Sequence, residues 1–325
     1  MEEVNLAPAP DDGILPEGFF VTSNRKTKIC LKGKLIPVKN IRMDCCIVVD
    51  PLKEEAICLE PRKVKKGDLI VVGNKGVIEE GELEFMTSPI SPERPAWIMA
   101  RDVAKLIKSI KGKGGRIFVV AGPAVVHAGG REALAKLIRM GFVDVLITGN
   151  GLAVHDMEAS IYGTSLGRSL KNGRYVHHAH HIWTINKVNS LGSIANAVKT
   201  GLVRDGIMYE CVVNNVKYII VGSIRDDGPL KDTITDMIKA QDIIRAEITK
   251  GVDLVLGLAS ALLVIGVANM LPYDVTLVVV DINPSVLIKI YDRGSKQTIC
   301  INSDVGLFLR ELVRFIEQEG SSTAS

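Results

Sequence analysis

Polar and small residues that could take part in chemistry stand directly after short apolar runs in the C-terminal two-thirds of the chain. The run Val145–Ile147 ends in Thr148-Gly-Asn-Gly151, and a helical pattern resumes at Leu152. That order is typical of a buried parallel strand, a tight turn and a helix whose free N–H groups face the turn. The backbone at Gly149–Gly151 is therefore a candidate phosphate site, as is the helix start after Ala259-Ser260.

Charged residues gather in the glycine-bounded segment Gly222–Gly228, which follows another apolar run. Arg225 could clamp a substrate carboxylate in bidentate fashion, while Asp226 or Asp227 holds an ammonium group. A salt bridge within an exposed loop is the alternative interpretation.

Histidine and cysteine residues are candidates for proton transfer, metal binding and nucleophilic attack. His155 could carry a proton, with Asp156 as its orienting carboxylate, or it could be a structural histidine. Glu210 and Cys211 precede a strand, and Cys211 could be a nucleophile or a small buried apolar residue. The histidines of His177–His181 have no Cys, Asp or Glu at ligand spacing, so we expect no metal and favour an active-site or subunit-interface loop.

A carboxylate also ends the most β-branched apolar run, Val275–Val280. Asp281 could accept both ribose hydroxyls of an adenosine, or it could cap the helix that begins after Asn283-Pro284. Ser303-Asp304 repeats the arrangement, and helix capping explains most of that signal. A G-x-G-x-x-G fingerprint after a strand is missing, so an ordinary Rossmann dehydrogenase is not expected.

Alternating strands and helices after Pro95 must position these residues. Helical patterns are expected at Glu132–Met140, Leu152–Tyr162, Thr184–Thr200, Asp232–Lys250, Ala261–Met270, Ser285–Asp292 and Val305–Gln318. Such alternation implies right-handed crossovers and a mostly parallel sheet covered on both faces. All the polar segments then lie at the carboxyl ends of strands, where open α/β sheets bind ligands.

The N-terminal part of the chain has a different pattern. Short runs with turn signals between Lys26 and Glu84 predict a small all-β barrel or sandwich, and three prolines close together before Ala96 mark its end. We therefore expect a loose lead-in at residues 1–17, a β-rich domain at 18–90, an α/β catalytic domain at 91–320 and a tail at 321–325.

Composition excludes several classes of function. A net charge of +3 and an aromatic content of 5% do not support a nucleic-acid surface. The apolar stretch Leu254–Leu271 is broken by glycine, serine and asparagine, so we expect no membrane span. The polar, acidic Met1–Asp12 and six cysteines without C-x-x-C pairs predict a cytoplasmic protein. A hydrophobic content of 47% favours a homo-oligomer, either a dimer or a tetramer.

Several longer segments, in order from about residue 7 to 316, resemble the archaeal-type ornithine cyclodeaminases. This family is also the cyclodeaminase half of cyanobacterial arginine dihydrolase, and its longer members are named for the lysine-ketoglutarate reductase/saccharopine dehydrogenase bifunctional region. The resemblance is carried by Ala7-Pro-Ala-Pro-Asp-Asp-Gly13, Met43-Asp-Cys45, Val119–His127, Gly149–Asp156, Gly206–Cys211, Gly222–Pro229, Asn269–Pro272, Val280–Pro284 and Ser303–Phe308.

The resemblance implies an NAD-dependent conversion of L-ornithine to L-proline and ammonia by internal hydride transfer and cyclisation. It implies a deoxyhypusine-synthase-like NAD-binding sheet, with a carboxylate clamp and acid/base groups drawn from Arg225, Asp226, Asp227, Glu210, Cys211 and His155. The NAD contacts that it implies are Asn150, Gly151, Asp227, Ser260, Ala261, Leu262, Leu263, Asp281, Asn283, Asp304 and Val305.

Two departures from the family pattern stand in this sequence. Longer members have a further region before Ala7, and Leu263 stands where the family pattern has a polar residue. Lysine cyclodeamination or aminobutyl transfer on the same fold is therefore an alternative activity, although aminobutyl transfer needs a lysine for its imine link. A nucleotide-sensing module without catalysis is an alternative from a different class.

Overall fold

The computed structural model describes residues 2–80, 95–292 and 298–321. Contacts between Cα atoms divide the chain into two compact units. The first comprises Met1–Thr87, Gly266–Val275 and Asp292–Gln297, and the second comprises Ser88–Ile265, Thr276–Tyr291 and Thr298–Ser325. The first unit thus contains a segment, Gly266–Val275, that the expected division assigned to the α/β domain.

A seven-stranded, mostly antiparallel sheet forms the first unit. Apolar side chains of its strands, among them Ile29, Ile47 and Val71, are buried in a core of their own. The expected all-β region is therefore present. Its strands are β1 (Asn5–Pro8), β2 (Thr27–Leu31), β3 (Lys34–Lys39), β4 (Cys46–Asp50), β5 (Glu55–Leu59), β6 (Leu69–Val72) and β7 (Val77–Glu79), in the spatial order β1-β6-β4-β5-β3-β2-β7.

Strand β1 differs from the loose lead-in expected at residues 1–17. It pairs antiparallel with β6, from Asn5 opposite Val72 to Pro8 opposite Leu69, and the following Ala9 is buried. Proline is tolerated here because β1 is an edge strand and Pro8 is its last residue. The prolines that suggested a loose segment therefore mark the end of a strand.

The second unit alternates helices and strands. In the described residues no helix is both long and apolar enough to cross a membrane. The helices are α1 (Ala96–Gly112), α2 (Ala124–His127), α3 (Arg131–Arg139), α4 (Asn150–Tyr162), α5 (His180–Ser190), α6 (Ile194–Lys199), α7 (Ile207–Val213), α8 (Met237–Thr249), α9 (Ala261–Ala268), α10 (Pro284–Tyr291) and α11 (Val305–Ser321). The strands are β8 (Ile117–Ala121), β9 (Val145–Gly149), β10 (Thr164–Ser165), β11 (Arg168–Ser169), β12 (Lys217–Val221), β13 (Thr233–Ile234), β14 (Leu254–Leu258), β15 (Thr276–Asp281) and β16 (Thr298–Asn302).

Seven of these strands form one parallel sheet in the order β13-β12-β9-β8-β14-β15-β16. The central strands are buried along their whole length because helices cover both faces, which explains why their sequences are continuous apolar runs. The expectation of a mostly parallel Rossmann-like sheet is confirmed.

The strand order reverses once, between β8 and β14. From β8 the chain moves through β9 and β12 to the edge strand β13, and then it returns to β14 on the other side of β8. In doubly wound sheets the ligand lies beyond the carboxyl ends of the strands at such a switch point. The topology therefore predicts a ligand site at the loops that follow β8 and β14.

Two expected helices differ from those in the structure. The segment Thr184–Thr200 contains parts of two helices, because Gly192 has a φ of 90° and the Ser193 side chain caps α6. Helix α8 begins at Met237 instead of Asp232, since Thr233–Ile234 adds a short parallel strand and Asp236 caps the helix.

The buried carboxylate of Glu247 forms ion pairs with several basic side chains near the amino ends of the strands. The side chain of Glu247 is only 4% exposed, and it pairs with Lys217, Lys250 at 2.7 Å and Arg116 at 3.5 Å. Burial raises the pKa of this carboxyl, but the hydrogen bonds and charges of Lys217 and Lys250 outweigh it and lower the pKa to about 2. The ionised form is therefore stabilised in the folded protein.

This carboxylate predicts a specific pH dependence of stability. A folded-state pKa below the unfolded value of about 4.3 stabilises the protein above that pH, and the contribution is lost as pH falls towards the folded pKa. Glu247→Gln should lower the free energy of unfolding at pH 7, and the difference from the wild type should shrink between pH 4.5 and 2. Urea denaturation at several pH values measures it, and a difference that stays constant over that range would contradict the assignment.

Candidate active site

The loops after β8 and β14 approach each other closely at the switch point. The Gly122 N–H donates to the Leu258 carbonyl at 2.9 Å, and a Cβ on Gly122 would collide with the Ala259 carbonyl oxygen. Ala259 itself has a left-handed φ of 46°, which is uncommon for a residue with a side chain. Ser260 follows and leads into α9, so the sequence-predicted residues Ser260–Leu263 lie at the switch point.

Helix α4 starts directly at the end of β9 and presents its first turn to the same edge. Its N-cap residue is Gly149, and no side chain within the described ranges caps it. A Cβ on Gly151 would lie 3.8 Å from Pro123 in the loop after β8, so these two loops are also neighbours. Uncapped N–H groups at the start of a 13-residue helix favour an anion such as a phosphate.

The side chain of Asn150 has a structural partner that the sequence did not reveal. Its Oδ1 accepts hydrogen bonds from the Leu230 N–H at 3.1 Å and from the Thr233 hydroxyl at 3.3 Å. Asn150 therefore fastens the segment between β12 and β13 to the start of α4. The Asn150 side chain is therefore already engaged within the fold.

The acidic residues after β15 and β16 lie next to each other along the edge. Asp281 Oδ1 accepts from the Asn283 N–H at 2.8 Å, and Asn283 Oδ1 accepts from the Ser285 N–H at 3.0 Å. Asp304 caps α11 through the Leu307 N–H at 2.8 Å, and the adjacent Val305 is buried. Capping thus accounts for Asn283 and Asp304, whereas one oxygen of Asp281 remains for a ligand.

The loop Gly222–Gly228 keeps one cation available. The Asp226 carboxylate accepts from the Ser223 N–H at 2.7 Å, so it shapes the loop. The Arg225 and Asp227 side chains are exposed, and among the described residues the Arg225 guanidinium has no ion-pair partner. The expected salt bridge within the loop is therefore not formed by Arg225.

Large apolar side chains are exposed at three of these loops. Ile224 follows β12, Leu262 follows β14 with 86% exposure, and Ile282 follows β15 with 72% exposure. Exposed apolar residues grouped with polar ones are typical of a ligand-binding edge. They add apolar surface beside the polar groups described above.

His155 lies in the second turn of α4 and pairs with a carboxylate, but the carboxylate is not Asp156. Its Nδ1 is 3.1 Å from Glu158 Oε2, and both side chains are buried. On a helix, residues three apart lie on one face whereas adjacent residues do not. The predicted orienting role of Asp156 is therefore wrong, and Glu158 holds the imidazole.

Two further histidines complete a group that we call the histidine cluster: His127, His155, His181 and Glu158. The rings of His127 and His181 each lie 4.6 Å from that of His155. Burial and the neighbouring His155 lower the pKa of His127 to about 4, and the same causes lower the pKa of His181. The charge of Asp226 acts on His181 in the opposite direction, which links the cluster to the loop Gly222–Gly228.

Glu158 and His127 are held in place by the short hairpin β10–β11. Glu158 Oε1 accepts from the Thr164 hydroxyl at 2.9 Å and from the Gly167 N–H at 3.4 Å. The Ser165 hydroxyl lies 2.8 Å from His127 Nδ1. The Glu158 carboxylate and the imidazoles of His127 and His155 therefore have fixed orientations.

Asp156 points to the other side of α4 and holds three elements together. It is fully buried and accepts from Arg131 Nε at 2.8 Å and from the N–H groups of Ile207 and Met208 at 2.9 and 2.8 Å. Gly206, with a φ of 100°, lies so close that a Cβ would collide with Asp156. Its role is to fix the start of α7 against α4.

Glu210 and Cys211 lie away from the ligand-binding edge, on α7. Glu210 accepts two hydrogen bonds from Arg139, at 2.9 and 2.6 Å, and one from Asn214 at 2.8 Å. Cys211 is fully buried in the apolar core, and burial raises the pKa of its thiol far above the ordinary value. Glu210 is engaged in hydrogen bonds and Cys211 in core packing, and their catalytic roles stay a prediction.

The comparisons with known proteins agree with this architecture. A family model described as arginine dihydrolase ArgZ-like, C-terminal, Rossmann fold matches residues 101–312, and its companion for the first region matches residues 26–100. An ornithine cyclodeaminase from Methanocaldococcus jannaschii is 49% identical, over 98% of this chain and 79% of that protein.

Two solved structures are similar over 98% of this chain. A conserved LOR/SDH protein from Methanococcus maripaludis is 41% identical, with a TM-score of 0.92 and all of its chain covered. The ternary complex of AgrE with ornithine and NAD⁺ is 40% identical, with a TM-score of 0.68 and 46% of its chain covered. The chain therefore belongs to the ArgZ-like C-terminal family.

Proposed function

We propose that this chain is an NAD-dependent ornithine cyclodeaminase, which converts L-ornithine to L-proline and ammonia. The observation that carries the proposal is the position of the histidine cluster, in which His127, His155 and Glu158 lie on helices that follow β8 and β9 at the ligand-binding edge of a Rossmann sheet. The kinship with proteins named ornithine cyclodeaminase, and the AgrE complex with ornithine and NAD⁺, supply the substrate and cofactor class.

The residues at the switch point fit NAD. Close backbone approach at Gly122 and the uncapped start of α4 suit a pyrophosphate. Asp281 at the end of β15 suits the ribose hydroxyls, and the exposed side chains of Leu262 and Ile282 suit the faces of flat rings. Ser260 and Ala261 would lie along the same ligand.

The ribose assignment predicts the effect of removing one carboxylate. Asp281→Ala should weaken NAD binding by about 1–3 kcal/mol, because a charged hydrogen-bond acceptor is lost. Isothermal titration of the folded variant measures it. Asp253→Ala is the matched control, since Asp253 lies at the amino end of β14 and accepts from the Arg116 N–H at 2.8 Å. Equal NAD affinity in D281A and D253A would remove the assignment.

When bound, NAD supplies a reversible two-electron oxidation at the substrate's Cα. The chain's own side chains move protons between the two substrate amines. His155 Nδ1 is engaged by Glu158, which leaves Nε2 to take a proton from an ammonium group and to return it later to the departing nitrogen. Glu158 fixes the orientation of the ring.

Charged residues of the loop Gly222–Gly228 suit the ends of an amino-acid substrate. The guanidinium of Arg225, which has no ion-pair partner among the described residues, matches an α-carboxylate, and Asp226, whose charge acts on His181, matches an ammonium group. Burial of the cluster excludes water from the proton-transfer position. Substrate binding would then belong to this loop and proton transfer to the histidine cluster.

The proposal includes a cytoplasmic location and a homo-oligomer, a dimer or a tetramer. Support for an oligomer comes from exposed apolar side chains in and before α5, among them Tyr175, Ile182 and Trp183. Sedimentation equilibrium measures the mass of the assembly. Fractionation of the source cells tests the location.

Turnover with labelled ornithine tests the proposed function. Purified protein with NAD far below the ornithine concentration should convert ornithine completely, since NAD is regenerated in each cycle. The δ-nitrogen should be retained in proline and the α-nitrogen released as ammonia. Lysine in place of ornithine tests the lysine alternative, and NAD binding without turnover of either substrate would favour the sensing module.

A further inference from the structure

The histidine cluster contains a set of atoms with the composition of a transition-metal site. One ligand atom each from His155, Glu158 and His181 lie within 4.8 Å of one another, in a largely buried position. His181 Nδ1 is buried and finds no hydrogen-bond partner in the described part of the chain. A buried nitrogen without a partner is costly, and a cation is one way to satisfy it.

The orientation of the carboxylate ligand is already fixed. Thr164 and Gly167 donate to Glu158 Oε1, so Oε2 is the oxygen that faces the two imidazoles. Outer hydrogen bonds of this kind orient ligands in metal sites and are worth about 10–100-fold in metal affinity. In tetrahedral coordination with metal–ligand distances of about 2.1 Å, the ligand atoms lie roughly 3.4 Å apart. Side-chain rotations that move these atoms by about an ångström bring them to that spacing.

The sequence could not have indicated this group, because its ligands come from two helices. His155 and Glu158 stand three apart on α4, whereas His181 belongs to α5 and to the histidine-rich segment His177–His181. That segment was not expected to bind a metal because no acidic residue stands beside it. The structure supplies the acidic residue from α4.

We propose that His155, Glu158 and His181 form a binding site for a divalent transition-metal ion of the zinc class, which inhibits the enzyme. Two imidazoles and one carboxylate suit Zn²⁺, Co²⁺ or Ni²⁺ better than Mg²⁺ or Ca²⁺. Because the ion would lie among His155, Glu158 and His181, where the substrate amine must approach His155, metal and substrate amine exclude each other. The inhibition of the enzyme rests on the proposed function, whereas the metal site does not.

Direct titration tests the metal site independently of activity. The untagged full-length protein, freed of metal by a chelator, is titrated with ZnCl₂ in an isothermal calorimeter and with Co²⁺ in a spectrophotometer. We expect one equivalent with micromolar or tighter affinity, weakened at least 100-fold in Glu158→Gln and in His181→Gln. Thr164→Val should weaken it by about 10–100-fold, and circular dichroism verifies that each variant is folded.

All six histidines of the chain lie at positions 127, 155, 177, 178, 180 and 181, so the control must come from the same segment. The double variant His177→Gln/His178→Gln should bind Zn²⁺ as the wild type does, since both residues are exposed. Loss of binding in this double variant with retention in His181→Gln would overturn the site. Binding weaker than millimolar in the wild type would overturn it as well.

Competition with ornithine tests the inhibitory role. In a buffer that fixes free Zn²⁺, the NAD-loaded enzyme should show a raised apparent KM for ornithine and an unchanged kcat. A lowered kcat without a change in KM would refute mutual exclusion. The existence of the metal site would still be decided by the titration. Failure of the proposed function itself would appear separately, as absence of proline in the metal-free assay.

Discussion

His155→Gln is expected to lower kcat for ornithine cyclodeamination by about 10²–10⁴-fold, the usual contribution of a positioned general acid/base. Glutamine keeps the polar character and much of the volume of the side chain, but it cannot take up a proton. Because His155 lies in the second turn of α4 and not at its uncapped first turn, NAD affinity should change by less than about twofold. Steady-state kinetics together with NAD titration separates these two effects.

His178→Gln is the matched control for this loss of activity. His178 is exposed, and its Nδ1 lies 3.1 Å from the Tyr175 hydroxyl, also on the surface. Its replacement should leave kcat within a factor of about two, as expected for a residue outside the cluster. A His155→Gln enzyme with nearly full kcat would show that another group transfers the proton.

Asp156→Ala is expected to cost about 3–5 kcal/mol of unfolding free energy, the range for removing one partner of a buried ion pair. The variant would leave Arg131 Nε and the N–H groups of Ile207 and Met208 without their acceptor. A domain is stable by only about 5–15 kcal/mol, so this variant approaches the limit of folding. Urea denaturation followed by circular dichroism measures the loss.

Asp205→Ala removes the other carboxylate that pairs with Arg131, and it provides the comparison. The Asp205 side chain is 60% exposed, so its replacement should cost only about 0–1 kcal/mol. Asp156→Asn should fall between the two alanine variants, because the amide oxygen still accepts a hydrogen bond. Equal losses in D156A and D205A would mean that burial does not set the strength of this network.

The ligand-binding edge of the parallel sheet could be predicted from the sequence because the residues that indicate it are adjacent in the chain. An apolar run that ends in glycine or a polar residue specifies both the strand and the position of the loop at its carboxyl end, as Val145–Gly151 illustrates. The parallel alternation then places all such loops on one edge. Asp281, Ser260, Gly151 and Arg225 are predicted at this edge for this reason, and each lies at or just after the end of a strand.

Glu158, His127 and His181 were missed because their association depends on how separate elements pack. One local signal was available for Glu158, since it stands three residues after His155 on a predicted helix and shares its face. The sequence prediction names the adjacent Asp156 as the carboxylate that orients His155, but Asp156 lies on the opposite side of the helix. No spacing rule joins His127 or His181 to that helix.

Glu210 and Cys211 show that residue type alone does not distinguish a reactive role from a structural one. Both residue types are common in active sites, and their motif Gly206–Cys211 supports the family resemblance. Their positions on α7 place one in a hydrogen-bond network with Arg139 and the other in the apolar core. A motif can therefore be part of a family's packing and still contain residues that look reactive.

A crystal structure with NAD and ornithine bound tests the central claim most directly. We expect the dinucleotide to lie across the loops after β8 and β14, with a ribose at Asp281 and the ornithine amines within hydrogen-bond distance of His155 and Asp226. Ornithine bound elsewhere, with the histidine cluster remote from the nicotinamide ring, would contradict it.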